Sequence, residues 1–335
     1  MAADGPAGGA LGRVGIIALT RAPSSHGCRH NTRGGGSGTP PHPPPPLRKA
    51  RWSNVALGAG LQLFEVSTLG QPFEVIKTQQ AAYRTQGLGE AMRSIHSRGG
   101  LRGFWQGLIP WAWIEGSTKG AVLLFTQSEV SQRATALGAS PSWASGLGGM
   151  AGGIAQAYTT IGPCTSMKTA LVTGDYAGKG TVEVVRSVVA ERGLAGMYAG
   201  VHAVALRQAT NWGSRFGFSR LSEFVFRRGD ASRPLSTAER LASSIMGGAL
   251  STWNHPFEVL RVELQSQSVD PRRPTDRSMG SMARYIYATN GARGFYRGVL
   301  PRIGLSVYLT VVMVFLGDEL KEVIRLRREA EEPVR

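Results

Sequence analysis

From about residue 51 to residue 326 the chain alternates long, mostly apolar stretches with shorter polar and basic ones. Six long segments stand out, roughly 52–80, 108–133, 142–172, 201–226, 238–266 and 299–326. Each is long enough for the about 20 helical residues that cross a hydrocarbon core about 30 Å thick. The most apolar run is Val307–Leu316 (VYLTVVMVFL), and Ala121–Phe125 (AVLLF) continues another. Glycine punctuates the segments without ending them, most densely at Gly146, Gly148, Gly149, Gly152 and Gly153. Small residues so spaced let helix backbones approach closely in lipid. The pattern predicts an all-α membrane protein of six spans, with short helices in the basic loops. The glycine content and runs such as VVMVFL disfavour a soluble helical repeat.

The pattern occurs three times. Pro72–Lys77 (PFEVIK), Pro163–Lys168 (PCTSMK) and Pro256–Arg261 (PFEVLR) align, 91 and 93 residues apart. Downstream of each comes a second motif: Gly100–Gly107 (GLRGFWQG), Gly193–Gly200 (GLAGMYAG) and Gly291–Gly298 (GARGFYRG), spaced by 93 and 98 residues. Two motifs that keep one order and nearly one period define a threefold repeat. The loops within repeats (81–107, 169–200, 262–298) hold thirteen Lys and Arg, against six in the loops between repeats (126–141, 219–240). The positive-inside bias places the loops within repeats on the inner side. An even number of spans leaves both termini on the other.

Charge and composition narrow the partners. The 335 residues carry a formal charge of +16 and a pI near 10.7, which calls for acidic partners. Mean hydropathy is only −0.10, as expected of helices that are apolar outside and polar inside. Cys28 and Cys164 cannot build a disulfide framework. Residues 1–50 hold six basic residues (Arg13, Arg21, Arg29, Arg33, Arg48, Lys49) against Asp4, and Pro40–Pro46 is proline except for His42. This reads as a disordered basic leader with the composition of an organelle transit segment. His26, Cys28 and His30 lie close together, but nothing around them fixes a metal geometry. Gly174, Gly178, Lys179 and Thr181 fail the phosphate-loop spacing and mark the approach to a short helix near Thr181. With no nucleophile, metal cluster or phosphate loop, the chain does not read as an enzyme, and it calls for no cofactor and no metal. Nucleic-acid binding is the rival use of the +16, although the basic residues are spread over loops and no reading module is present.

A threefold repeat of about 95 residues, each closing its first helix with Pro-x-[Asp/Glu]-x-x-[Lys/Arg], resembles the mitochondrial carrier family. The stretches Gly70–Thr78 (GQPFEVIKT), Gly107–Phe125 (GLIPWAWIEGSTKGAVLLF) and Arg207–Leu221 (RQATNWGSRFGFSRL) are similar to its citrate/2-oxoglutarate subfamily, some members of which bind mitochondrial DNA. The resemblance divides the chain into a leader 1–50, repeats 51–137, 138–232 and 233–326, and a charged tail 327–335. It implies a multi-pass, monomeric antiporter of the mitochondrial inner membrane. The substrates would be small anionic carboxylates and the surroundings a bilayer with cardiolipin among its lipids, with weak DNA association as a side activity. Carriers of another small anion, a dicarboxylate or a nucleotide, are the alternative.

Pro72, Pro163 and Pro256 should bend the first helix of each repeat. Glu74 with Lys77 and Glu258 with Arg261 share helix faces three residues apart. The resemblance implies a matrix gate in which Arg261 pairs with Glu74 and Lys168 with Glu258. Lys77 would pair with the acid of the second repeat, but that position is Thr165. The gate is thus expected to lack one bridge, with Lys77 deprived of its partner. Counted from Gly103, Gly196 and Gly294, twelve residues on lie Glu115, Gln208 and Ser306, and eleven on lie Ile114, Arg207 and Leu305. Lys119 and Leu123 follow Glu115 on one face, and Arg302 lies about a turn from Ser306. Glu115, Lys119, Leu123, Arg207, Gln208 and Arg302 therefore form the expected binding plane for a di- or tricarboxylate. Within it, Glu115 is read either as the holder of Lys119 or as a proton carrier.

Overall fold

A computed structural model describes residues 52–173, 179–227, 236–266 and 272–312, together with Leu316. The leader 1–50, the tail 327–335 and the Gly174–Gly178 loop lie outside the described residues.

The described residues form helices and no strand. Four helical elements recur in one order three times. The first set is α1 (Trp52–Glu65), α2 (Gln71–Ala82), α3 (Leu88–Gly99) and α4 (Trp113–Ala136). The second is α5 (Pro141–Gln156), α6 (Gly162–Val172), α7 (Thr181–Arg192) and α8 (Val201–Phe226). The third is α9 (Thr237–Leu250), α10 (His255–Gln265), α11 (Met279–Gly294) and α12 (Val299–Val311).

The hydrophobic pattern predicts the first two helices of each set as one long segment, and the structure breaks each of them. Val66–Gly70 and Ala157–Ile161 form wide π turns, and Ser251–Asn254 a tight 3-10 turn. Pro72, Pro163 and Pro256 sit in the first turn after each break. There a proline has no lost hydrogen bond of its own, so the strain falls on the turn before it. Thr68, for example, leaves helical geometry at φ −93°, ψ −111°.

The long limbs pack in a closed order: α1 on α4, α4 on α5, α5 on α8, α8 on α9, α9 on α12, and α12 back on α2. Missing side chains make the close contacts possible. A Cβ at Gly152 would stand 3.0 Å from the Leu123 carbonyl on α4, and one at Gly153 would stand 3.0 Å from the Gln208 carbonyl on α8. Helix α5 thus approaches both neighbours backbone to backbone. The short helices pack beneath the second helix of their own set. Ile95 meets Val75 and Ile76, Val184 and Val188 meet Met167 and Leu171, and Met282 and Ile286 meet Val259 and Val262. Burying such a side chain contributes at most about 1.5–3 kcal/mol.

One glycine position ties each set to the next. Gly107, Gly200 and Gly298 all have positive φ. Their would-be Cβ atoms meet Lys168 Cγ at 3.0 Å, Leu264 Cβ at 3.0 Å and the Lys77 carbonyl at 2.8 Å, respectively. The start of each set's last helix therefore rests on the proline-containing helix of the following set, cyclically.

Among the described residues no helix is long and apolar enough to cross a membrane. The breaks shorten α1, α5 and α9, while α4 and α8 carry Glu115, Lys119 and Arg207 in their length. Polar residues that face the interior of a bundle lower mean hydropathy in this way.

Candidate functional site

The C-terminal halves of the broken limbs, α2, α6 and α10, converge on a buried ionic cluster. Glu258 is its hub. One of its oxygens accepts from Arg261 at 2.6 Å and forms an ion pair with Lys77 Nζ at 2.8 Å, and the other lies 3.0 Å from Arg207 Nε, too poorly aligned for a hydrogen bond. Glu74 holds Lys77 at 2.6 Å and Arg261 at a longer 3.8 Å. The pairs within a helix and the bridges between helices form together, because each carboxylate has lone pairs for more than one donor.

The expected pairing is corrected in two places. Lys77 does not go without a partner, since it bridges Glu74 and Glu258. Lys168 does not pair with Glu258, which is already engaged by three cations. Lys168 Nζ instead donates to Glu115 Oε2 at 2.6 Å, with both side chains nearly enclosed. The expectation that Glu115 holds Lys119 therefore gives way: its hydrogen-bonded partner is on α6, in the next set. Thr165 turns its hydroxyl back on its own helix, donating to the Ile161 carbonyl at 2.7 Å, and takes no part in the charge pairing.

The residues of the expected binding plane are tied together through the helix breaks. Gln208 donates to Gln156 Oε1 at 3.1 Å, and Gln156 donates to the Lys119 carbonyl at 2.5 Å, linking α8 to α4 through the end of α5. Asn254 donates to the Arg207 carbonyl at 3.1 Å and accepts from Arg302 at 2.5 Å, linking α8 to α12. Arg302 also donates to His255 Nδ1 at 3.3 Å, while His255 Nε2 donates to the Arg297 carbonyl at 2.8 Å. Those two partners fix the neutral ring with its proton on Nε2. The third link joins Tyr308 on α12 to Thr68 at 2.5 Å, next to Ser67, which accepts from Trp113 Nε1 at 3.1 Å. Leu123 is buried on the α5 side rather than facing an open space, beneath Gly152. Ser306 lies against Gly248.

Sequence reasoning missed Glu65, Gln156, Asn254 and His255. All four are buried, and Glu65 is close enough to feel Lys119, Glu74, Glu115 and Lys168. Their signal was a polar residue inside or just beside a helix break in an otherwise apolar limb. A second buried knot also escaped notice. Glu263 pairs with Arg84, and with Arg273 at 3.0 Å; Arg84 further donates to Asn290 at 2.7 Å and lies over the Tyr285 ring. This knot joins α2, α10 and α11 beyond the main cluster. The Glu129–Arg133 pair, by contrast, is long at 3.6 Å and exposed.

An apolar recess of about 620 Å³, lined by Pro110, Trp111, Thr181, Val182 and Val185, lies between the start of α4 and α7. Arg186 is the one charged residue along its otherwise apolar wall, whereas the ionic cluster and the plane above it bring several cations together and are the better equipped region for a carboxylate with two or three charges. That region gathers Lys77, Lys119, Lys168, Arg207, Arg261 and Arg302 around Glu65, Glu74, Glu115 and Glu258. Six cations against four acids leave a surplus of two positive charges. Among the described residues no group of His, Cys, Asp and Glu is placed to hold a metal ion.

A helical ring with an ionic knot where proline-started helices converge defines a class, and sequence comparison gives the same one. The model of the mitochondrial carrier protein family matches residues 138–229 and 233–328, and the chain belongs to that family. Within it the chain groups with the citrate/oxoglutarate carriers. It is 49% identical over 294 residues to the citrate/oxoglutarate carrier protein of Saccharomyces cerevisiae, covering 84% of this chain and 93% of that protein. It is 27% identical over 268 residues to the mitochondrial tricarboxylate transport protein of Bos taurus, covering 76% of this chain and 83% of the relative. The mitochondrial citrate transporter C of Aspergillus niger is 25% identical over 198 residues, with 54% and 61% covered. The chain is a transporter, not an enzyme.

Proposed function

We propose that the protein exchanges citrate for 2-oxoglutarate, or related di- and tricarboxylates, across the mitochondrial inner membrane by alternating access. Each broken limb, α1 with α2, α5 with α6 and α9 with α10, serves as one span, and α4, α8 and α12 supply the other three. The ring works as a monomer. The observation that carries this reading is the charge surplus where Lys119, Arg207 and Arg302, from the three last helices of the sets, stand above a closed ionic knot. An anion with two or three carboxylates lowers that stored charge, and arginine forks match carboxylates bidentately. The names of the relatives agree in substrate class. The knot of Glu74, Lys77, Lys168, Glu258 and Arg261 is the matrix-side gate, closed in this arrangement, and it must break for release on that side.

Liposomes loaded with 2-oxoglutarate and given labelled citrate outside test the proposal. Lys119→Ala is the suitable variant, because no bridge of the gate runs through Lys119, whereas Arg207 also touches Glu258. Uptake that requires internal counter-substrate and falls at least about tenfold in the variant, the loss of one charge-assisted contact, supports the reading. Citrate uptake that is independent of internal 2-oxoglutarate, or unaffected by the variant, refutes it.

A further inference from the structure

Thr165 stands where the other two repeats carry Glu74 and Glu258, and its hydroxyl is turned back onto the Ile161 carbonyl. Without another acid, the closed knot would bury Lys77, Lys168, Arg207 and Arg261 around two carboxylates. Glu258 has no further capacity, since Lys77, Arg207 and Arg261 already surround it. A buried ammonium without a partner is costly, yet Lys168 is only 8% exposed. The carboxylate that meets it comes from a different helix and a different repeat: Glu115, in the first turn of α4, at 2.6 Å. Lys119 follows one turn along the same face, about 6 Å further along the helix axis.

We propose that Glu115 is the third acid of the closed gate, replacing the carboxylate absent at position 165, and that a substrate carboxylate opens this corner by displacing Glu115 from Lys168. Lys168 is then both a gate cation and a substrate ligand. The gate at the second repeat cannot stay fully paired while the site is occupied, so binding and unlocking become one event there. This inference rests on the exchange reading for its substrate and on the bridge alone for its gate role.

Two measurements test it. The first needs no substrate: thermal unfolding of the purified protein with Glu115→Gln, Lys168→Met and both. Each single change should lower Tm by about 4 °C or more, and the pair by little more than one of them. The charge-swapped pair Glu115→Lys with Lys168→Glu should recover part of the loss. The second is exchange in liposomes. Glu115→Gln removes the competitor for Lys168, so half-saturation should move to lower citrate while the maximal rate falls. Moving the acid back to the ring, with Thr165→Glu in the Glu115→Gln protein, should reverse both shifts. Additive Tm losses, or a half-saturation concentration that rises in Glu115→Gln, would overturn the proposal. If the unaltered protein exchanges no citrate, the functional reading fails, while the unfolding cycle still decides whether Glu115 closes the gate.

Discussion

Replacing Glu258 by glutamine removes the charge on which three cations converge. Lys77, Arg207 and Arg261 lie at 2.8, 3.0 and 2.6 Å from its carboxylate, which is 1% exposed. Breaking a buried ion pair from one side costs about 3–5 kcal/mol. The amide oxygen can still accept one bond from Arg261, and Glu74 can draw closer to the freed cations, so the lower end of about 3 kcal/mol applies. For a chain of this size each kcal/mol moves Tm by about 2 °C, giving a loss of about 6 °C. The assay is intrinsic tryptophan fluorescence of detergent-purified protein, at one scan rate for all variants. Glu129→Gln is the reference, because its pair with Arg133 is exposed and 3.6 Å long, and it should leave Tm unchanged. If Glu258→Gln melts within about 1 °C of the unaltered protein, the hub carries no net stabilisation and the assignment of Glu258 as the centre of the knot is wrong.

Arg302→Lys keeps the charge but cannot bridge Asn254 and His255 together. Half-saturation for citrate should rise roughly tenfold, the worth of about 1.4 kcal/mol, along with a Tm loss of about 2–4 °C from the weakened link to Asn254 and His255, and a rise in half-saturation below twofold would count against a binding role. Gly298→Ala should destabilise more than Gly100→Ala. Both positions have positive φ, costing about 1–2 kcal/mol for alanine, but a Cβ at Gly298 also meets the Lys77 carbonyl at 2.8 Å, while one at Gly100 meets nothing. Equal Tm losses would show that the contact can yield freely. Glu263→Gln should cost about 3 kcal/mol through the loss of Arg84 and Arg273 as ionic partners, with the half-saturation concentration for citrate unmoved, as expected of a structural knot. A shift in that concentration would place Glu263 in the transport path.

Much of the ionic knot was legible because its residue types are set by local chemistry. A proline five residues ahead of a cation, with an acid three residues ahead of that cation, puts both charges on one helix face, so Glu74, Lys77, Glu258 and Arg261 could be named from spacing. Their partners could not be named. Lys168 and Glu115 are 53 residues apart, and nothing in periodicity says that a lysine will reach upward to another repeat's helix rather than across to Glu258. The breaks were half legible: each proline pointed to a bend, but that the bend falls before the proline as a separate turn depends on which backbone groups find other partners. Asn254 and His255 escaped because a polar pair inside the segment 238–266 shows nothing locally of the partners it will meet. Their work, holding Arg302 against α8, exists only after the ring closes. Glu65 was the one avoidable omission, since an acid inside an apolar limb is itself a signal.

The glycine contacts give the ring a handed mechanical order. Gly107 bears on α6, Gly200 on α10 and Gly298 on α2, so each repeat leans on its successor and the last leans on the first, like the leaves of a camera iris. A leaf in an iris cannot swing alone. Outward travel of α10 must slide past the Gly200 seat, which belongs to the second repeat, and the same holds around the circle. The opening proposed above would thereby be geared, and a covalent tether across any one of the three seats would stall all of them.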